Sequence, residues 1–273
     1  MWSTRMMSQA PQQTLKPPLS AYIRTKNEER LIERVVIAAL KVAREVVIID
    51  SGSTDKTVAL ATAAGARVIK HDWLGNGAQK RLGEAAATHD WLLDLDADEV
   101  ITDDLADEIK SLFKDGEPAF KIYRTPMAMA PPISAPWIGF GGVTRHKLYN
   151  RLVVRAPDHK AWDQFDIPDR VSVGQLNSPI IHYAFTGADH LMDKINRNST
   201  TRAREAPLKS ELSLIVRIFF GLPFYFGKRY FLNGLIRGGV YGFAFALMSG
   251  LGRWLRDVKM YERVRKARIA ARK

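Results

Sequence analysis

The order of short apolar segments predicts an α/β fold: a mostly parallel sheet with helices on both faces, followed by amphipathic C-terminal helices. Three observations carry it. Strand-like runs at residues 19–24, 45–50, 68–71 and 91–95 alternate with helix-like stretches at 30–43, 55–64 and 77–87, and strands that are apolar throughout belong to sheets covered on both sides. Three of these runs end in polar clusters, at 25–28, 50–55 and 94–99, and ligands of open α/β sheets collect at the carboxyl ends of the strands. Beyond Asp189 the pattern turns helical, and from Leu212 it is strongly apolar with interspersed Arg and Lys.

The 273 residues suffice for one domain with a sizeable core and an appendage. Residues 1–18 are rich in Gln, Ser and Pro without a continuous apolar core, which predicts a disordered tail and not a signal peptide. Residues 19–185 form the expected α/β domain, and 186–273 a helical, membrane-associating region. The chain has no cysteine, which excludes disulfides, thiolate metal sites and a thiol nucleophile. Its net charge of +12 attracts polyanions: nucleic acid, anionic lipid or phosphorylated substrates.

At the end of the fourth strand, Asp94, Asp96 and Asp98 alternate along a Leu-rich run, followed by Glu99. Two carboxylates one residue apart at a strand end, Asp96 and Asp98, can point at one hard cation whose other positions are filled by phosphate oxygens and water. The alternative is a helix cap, since Thr102, Asp103 and Asp104 open a helix just beyond, but a cap uses a single carboxylate. In the segment 50–55, a glycine turn leads to a helix expected to be capped by Ser53 or Thr54, with Asp55 in its first turn. That turn and cap leave Asp50 unexplained at the strand end, where it can accept a base or ribose hydrogen bond. The middle, 120–183, reads as irregular, with Pro126, Pro131, Pro132 and Pro136 followed by a glycine cluster, as lids and acceptor loops do.

The segments IRTKNEE (23–29), VVIIDSGSTDKT (46–57), GNGAQK (75–80) and WLLDLDADE (91–99) together resemble family 2 glycosyltransferases. More narrowly, they resemble the branch that adds glucose to the lipopolysaccharide inner core. The likeness continues more loosely through IIHYAF (180–185) and DKINRNST (193–200). It implies a GT-A (Rossmann-like) fold, inverting transfer, a UDP-sugar donor and Mg²⁺ or Mn²⁺. It also implies that Thr25, Asn27, Glu28 and Asp50 line the nucleotide pocket and that Lys80 lies near the diphosphate. Asp96 would contact ribose and metal, and Asp98 would bind the metal. The family's Gln-Lys-Asn is here Gln79-Lys80-Arg81. An inverting transfer needs a carboxylate base, which the resemblance implies as a His-Glu or His-Asp pair in the mid-chain loop. The matching place reads Trp162-Asp163, so Asp163 is the choice, with Asp158, Asp166 and Asp169 close by. His182, in an HY pair that the resemblance matches, is a candidate metal or diphosphate contact, although a strand-end histidine is more often structural.

Residues 212–255 carry Arg217, Lys228, Arg229, Arg237 and Arg253, and the uncharged run 238–252 is shorter than the roughly 20 residues a spanning helix needs. Interfacial helices on an anionic membrane surface are expected, with the nine Lys or Arg of 253–273 meeting headgroups. A core hairpin is the alternative. No nucleic-acid motif accompanies the charge. The expected partners are thus a UDP-sugar, a lipid-linked or lipopolysaccharide-core acceptor and the cytoplasmic face of the inner membrane. Two other classes compete. A sugar nucleotidyltransferase would open with a Gly-rich loop after the first strand, where this chain has none. A non-catalytic basic membrane adaptor would leave Asp50, Asp96 and Asp98 without a role.

Overall fold

A computed structural model of the chain describes residues 16–160 and 162–271, so the expected N-terminal tail lies outside the described residues up to position 15. The first half alternates β1 (Leu19–Thr25), α1 (Ile32–Leu40), β2 (Glu45–Asp50), α2 (Thr57–Ala63), β3 (Arg67–Lys70), α3 (Asn76–Ala86) and β4 (Trp91–Asp96). Then come β5 (Glu99–Ile101), α4 (Asp103–Leu112), β6 (Ile122–Met129), β7 (Val143–Asn150), β8 (Gly174–Gln175) and β9 (Ile180–His182). The chain closes with α5 (Ala188–Glu205), α6 (Glu211–Gly227) and α7 (Gly239–Ala270).

The sheet runs β3-β2-β1-β4-β7-β6-β9-β5, with β8 beside β6. The four strands β3, β2, β1 and β4 are parallel. Strands β7 and β6 continue the sheet antiparallel. Strand periodicity sorts the core into two layers, since successive side chains point to opposite faces. Ala21, Ile23, Val46, Ile48, Leu93 and Leu95 face the cluster filled by α1 and α4. Tyr22, Val47, Ile49 and Leu92 face the other, where Leu82 and Ala86 of α3 pack. Helices therefore cover both faces, as the apolar strands require.

The middle departs from the sequence reading. Where an irregular loop is expected, β6 and β7 form an eight-residue antiparallel hairpin in the sheet. Its strands mix Arg124, Thr125, Arg145 and Lys147 among apolar residues, and Pro126 sits inside β6 opposite Thr144. The pairing compensates for what local propensity disfavours: Lys147 of β7 is buried because its ammonium meets Glu99 of β5 at 2.6 Å.

The C-terminal helices form one unit. α6 and α7 are antiparallel: Trp254 donates to the Ile218 carbonyl at 2.8 Å, and Arg265 and Arg268 both reach Glu211. Phe185, Leu191, Leu235, Phe245 and Trp137 form the cluster that fastens this unit to the sheet domain. By length and composition, residues Leu235–Ala270 include a helical window apolar enough to cross a membrane. On the outside, Phe219, Phe220, Phe224, Phe231, Leu232 and Val240 are all exposed, Val240 at 88%.

Candidate active site

The loops after β1 and β2 are laced together by short side chains. Asn27, in a left-handed conformation with φ 53°, accepts from the Thr54 amide at 2.8 Å, and its own amide donates to Ser53 Oγ at 2.9 Å. The Glu28 amide donates to Thr57 Oγ1 at 2.8 Å. Asp55 accepts from the amides of Thr57 and Glu29 at 3.0 and 3.2 Å. Two expectations are corrected here. Neither Ser53 nor Thr54 caps the helix, which begins at Thr57 with Asp55 as its ordering carboxylate. Nor is Asp50 left over by the turn: it makes the turn, accepting from the Gly52 and Ser53 amides at 3.1 and 3.0 Å and from the Ser53 hydroxyl. Thr25 Oγ1, beside them at the end of β1, is buried with no hydrogen-bond partner among the described residues.

The acids at and beyond the end of β4 meet different cations. Asp94 Oδ2 lies 2.5 Å from Lys80 Nζ, with both groups buried, while Asp94 Oδ1 has no hydrogen-bond partner among the described residues. Asp96 Oδ1 accepts from Arg24 Nε at 3.1 Å and from a second guanidinium nitrogen. Asp98 Oδ2 faces His182 Nε2 at 3.3 Å and Lys194 Nζ at 3.8 Å. Glu99 Oε2 takes Lys147 and the Asp96 amide, the latter at 2.9 Å. Asp96 and Asp98, the expected metal carboxylates, thus stand at the same strand end, one against a guanidinium and the other against an imidazole.

These pairings set the charge states. Burial pushes the Asp96 carboxyl up, but Arg24, Lys147 and Lys80 outweigh it and hold it well below the usual range. Burial also opposes ionisation of Asp98, yet the His182 hydrogen bond and charge bring it down. His182 is raised in turn, because Asp98 and Glu99 overcome the burial that disfavours its charged form. Glu99 rises through burial, against the pull of Lys147, with Asp96 and Asp98 adding repulsion. Glu28 is raised by burial and then by the Asp98 charge.

The loop after β7 closes over this edge. The amides of Asn76 and Gly77, at the start of α3, donate to the carbonyls of Lys160 and His159 at 2.8 and 2.9 Å. Such contact requires backbone without Cβ: one on Gly75 would meet Lys160 backbone at 2.4 Å, and one on Gly77 the Pro157 and Trp162 carbonyls at 2.5 Å. Held there, Asp163 Oδ2 reaches Arg24 at 3.3 Å and Lys80 at 3.6 Å. Asp158, Asp166 and Asp169 are exposed and make no such ion pair among the described residues.

The structure therefore brings Asp96, Lys80 and Asp163 together through Arg24, and Asp98 against His182, with Glu28 within electrostatic reach. Thr25, Asn27 and Asp50 lie on the adjoining strand ends. Sequence reasoning missed Arg24 and Lys147. A charged residue at position 24, inside an otherwise apolar buried strand, was the available signal. A cleft of about 1170 Å³ between Lys16, Thr88, Trp91 and Asn150 opens at the other end of β4, so cleft size alone would misplace the chemistry.

The resemblance implies a divalent cation. Among the described residues no group of three or more His, Asp or Glu is gathered as a cage. The donor set still fits a cation that shares its shell with substrate, since Asp98 and His182 converge at 3.3 Å and Mg²⁺-type ions often take one or two protein ligands plus phosphate oxygens and water.

Residues 20–162 match the family described as Glycosyl transferase family 2. The chain belongs to this family and is a glycosyltransferase, and its sheet with helices on both faces is a GT-A-like α/β fold. It is 30% identical over 262 residues to an uncharacterized glycosyltransferase of Rickettsia bellii, covering 91% of this chain and 87% of that protein. It is 29% identical over 267 residues to the lipopolysaccharide core biosynthesis glycosyltransferase LpsC of Rhizobium meliloti, covering 91% and 93%. The crystal structure of glucosyl-3-phosphoglycerate synthase from Mycobacterium tuberculosis with Mn²⁺, UDP and glucosyl-3-phosphoglycerate aligns with a TM-score of 0.45 at 19% identity, over 68% of this chain and 79% of that one.

Proposed function

We propose that the protein transfers a sugar, glucose by its resemblance, with inversion from a UDP-sugar to a lipid-linked or lipopolysaccharide-core acceptor at the cytoplasmic face of the inner membrane. The observation that carries this reading is Asp163 held over the carboxyl ends of β1 and β4, against Arg24 and Lys80. Asp163 takes the proton of the acceptor hydroxyl as that oxygen forms the new glycosidic bond. The bond from the anomeric carbon to the diphosphate breaks on the opposite side, and its electron pair leaves with UDP. Arg24 and Lys80 place positive charge beside that leaving group. Thr25, Asn27, Glu28 and Asp50 would form the nucleotide wall, where the Thr25 hydroxyl, without a partner among the described residues, supplies a hydrogen bond and Asp50 orders the turn behind it. Asp98 and His182 would hold Mg²⁺ or Mn²⁺, with Asp96 beside them. When bound, such an ion neutralises charge on the departing diphosphate.

The acceptor class rests on the likeness to LpsC, and the membrane on the exposed Phe and Leu face of α6. UDP-glucose titrated calorimetrically into the protein with Mn²⁺ should bind. Asp98→Asn should lose metal-dependent binding and turnover while keeping the wild-type melting temperature. Full transfer in excess chelator would overturn the metal assignment.

A further inference from the structure

The buried face of α3 is polar. A helix packed on a sheet ordinarily turns an apolar stripe towards it, yet α3 buries Gln79, Lys80 and Glu84 together with Gly77 and Gly83. Two of these side chains are used at the site. Gln79 donates to Ser51 Oγ at 3.1 Å and accepts from the Leu74 amide at 3.2 Å, and Lys80 meets Asp94 and Asp163. Glu84, fully buried, lies one turn further along and serves other partners. Its carboxylate accepts from the Tyr149 hydroxyl at 3.0 Å and the Ala156 amide at 2.8 Å, and it pairs with Arg155.

The course of the chain gives these contacts a purpose. β7 runs antiparallel to β4 and ends opposite Trp91, where β4 begins. The chain therefore leaves the sheet at the end remote from Asp96 and has to return along α3 before Asp163 can stand at the site. Three ties mark the way back. Arg151 donates to the carbonyls of Glu84 and Ala87, both at 2.9 Å, at the last turn of α3. Arg155 and Ala156 meet the Glu84 side chain midway. The His159 and Lys160 carbonyls then take the first amides of the helix. From Ala87 back to Gly77 this covers about 15 Å, at about 1.5 Å per residue. On the helix side, the two outer ties use only backbone groups, whereas the middle one is a single carboxylate. A buried carboxylate costs stability unless it is paired, and an apolar side chain on the same face carries no such cost. What Glu84 adds is direction: donors from Tyr149, Arg155 and Ala156 converge on it and fix one path for the loop.

We infer that Glu84 is a positioning residue, which holds the loop after β7 on the path that delivers Asp163 to Arg24 and Lys80 while itself staying out of contact with substrate. The inference rests on the transferase reading above, in which Asp163 is the base, and adds to it what sets that base in place.

The test compares the full-length wild type with Glu84→Gln, which keeps the shape of the side chain and an acceptor for the Ala156 amide but removes the charge that holds Arg155. Hydrogen–deuterium exchange is followed without ligand, and UDP release from UDP-glucose is measured with Mn²⁺ and with water in the acceptor's place. The water oxygen bonds to the anomeric carbon, its proton passes to Asp163, and the electron pair of the broken bond leaves with UDP. Exchange across residues 151–160 should rise about tenfold, as a locally opened segment does, while β1, β2 and β4 exchange as in the wild type. A rise throughout the sheet would make Glu84 a residue of the fold at large and overturn the inference. UDP release should fall by about 10- to 100-fold, the scale on which a displaced catalytic group loses rate, with the calorimetric affinity for UDP unchanged. In an Asp163→Asn background Glu84→Gln should add no further loss, because the two residues act as one unit, and losses that multiply would overturn the inference. Arg155→Gln alters a half-exposed side chain and should shift exchange and rate in the same direction, which keeps the test readable if Glu84→Gln does not fold. Wild-type exchange of 151–160 in both variants overturns the tether alone. An Asp163→Asn protein as active as the wild type overturns the base reading, and with it the role of Glu84.

Discussion

Asp163 approaches Arg24 and Lys80 from a loop, whereas those cations are fixed by Asp96 and Asp94 of the sheet. Removing its charge therefore leaves the strand-end network assembled. Asp163→Asn should retain UDP-sugar affinity and lose transfer by about 10²- to 10⁴-fold, the usual contribution of a general base, measured as kcat against donor Kd. An active variant would move the role to Asp158, Asp166 or Asp169. A second residue-scale prediction concerns stability alone. Burial opposes ionisation of Glu45, but the Ser20 hydroxyl, the Thr88 amide and Arg67 outweigh it and bring the carboxyl from 4.5 to about 2. A carboxyl depressed on folding stabilises above its unfolded value, and that contribution fades as pH falls from 4.5 through about 2. Its size is below about 3.5 kcal/mol at neutral pH, from roughly 1.4 kcal/mol per unit, because solvent screens the partly exposed group. Urea unfolding of Glu45→Gln should show lower stability at pH 7 that converges with the wild type near pH 2. A constant gap across this range would assign the effect to packing.

At the scale of elements, the Gly75-x-Gly77 pair shows what a short motif does. It lets the backbone of Pro157, His159, Lys160 and Trp162 press onto the first turn of α3, where the Lys160 and His159 carbonyls accept from amides that have no acceptor within the helix. Gly77→Ala would place a Cβ 2.5 Å from two carbonyl oxygens. It should cost about 1–3 kcal/mol, as overpacking does, and should lower kcat with it by displacing Asp163. Wild-type stability and rate would show that the loop adapts. The same elements explain what was legible beforehand. The parallel half of the sheet could be read because strands such as Val46 to Ile49 are buried on both faces and admit only apolar residues. Asp96 and Asp98 could be picked out because alternating carboxylates at the end of an apolar strand have few structural duties, whereas Lys80 and Asp163 could be picked out only through the resemblance to family 2 glycosyltransferases. The hairpin β6–β7 could not, since Arg124, Thr125, Pro126, Arg145 and Lys147 do not look like a strand, and pairing partners far along the chain decide their conformation. For the same reason Arg24 and Lys147 escaped notice: their acids, Asp96 and Glu99, lie 72 and 48 positions away.

For the whole molecule, the open matter is what the C-terminal unit rests against. Its inner side is accounted for by Phe185, Phe245 and Trp137, and its basic tail is partly consumed in clamping α5 and α6 to α7. Charge attraction to anionic lipid is therefore smaller than the sequence count of Lys and Arg implies. The apolar exterior is correspondingly more important. Phe219, Phe220 and Phe224 are 74%, 69% and 65% exposed, and full burial of one such side chain is favourable by about 1.5–3 kcal/mol. Three of them inserted at the acyl boundary contribute roughly 4–6 kcal/mol, a factor of about 10³ to 10⁴ in partitioning. Replacing all three by Ser should abolish flotation on phosphatidylcholine vesicles while leaving the melting temperature in detergent nearly unchanged, because these side chains are largely exposed among the described residues. Wild-type flotation should weaken with salt only in so far as anionic lipid is present, and should persist at high salt since the apolar term is not screened. A triple variant that unfolds would identify these residues as core of an assembly, and one that floats like the wild type would move the membrane contact to another face of the helices.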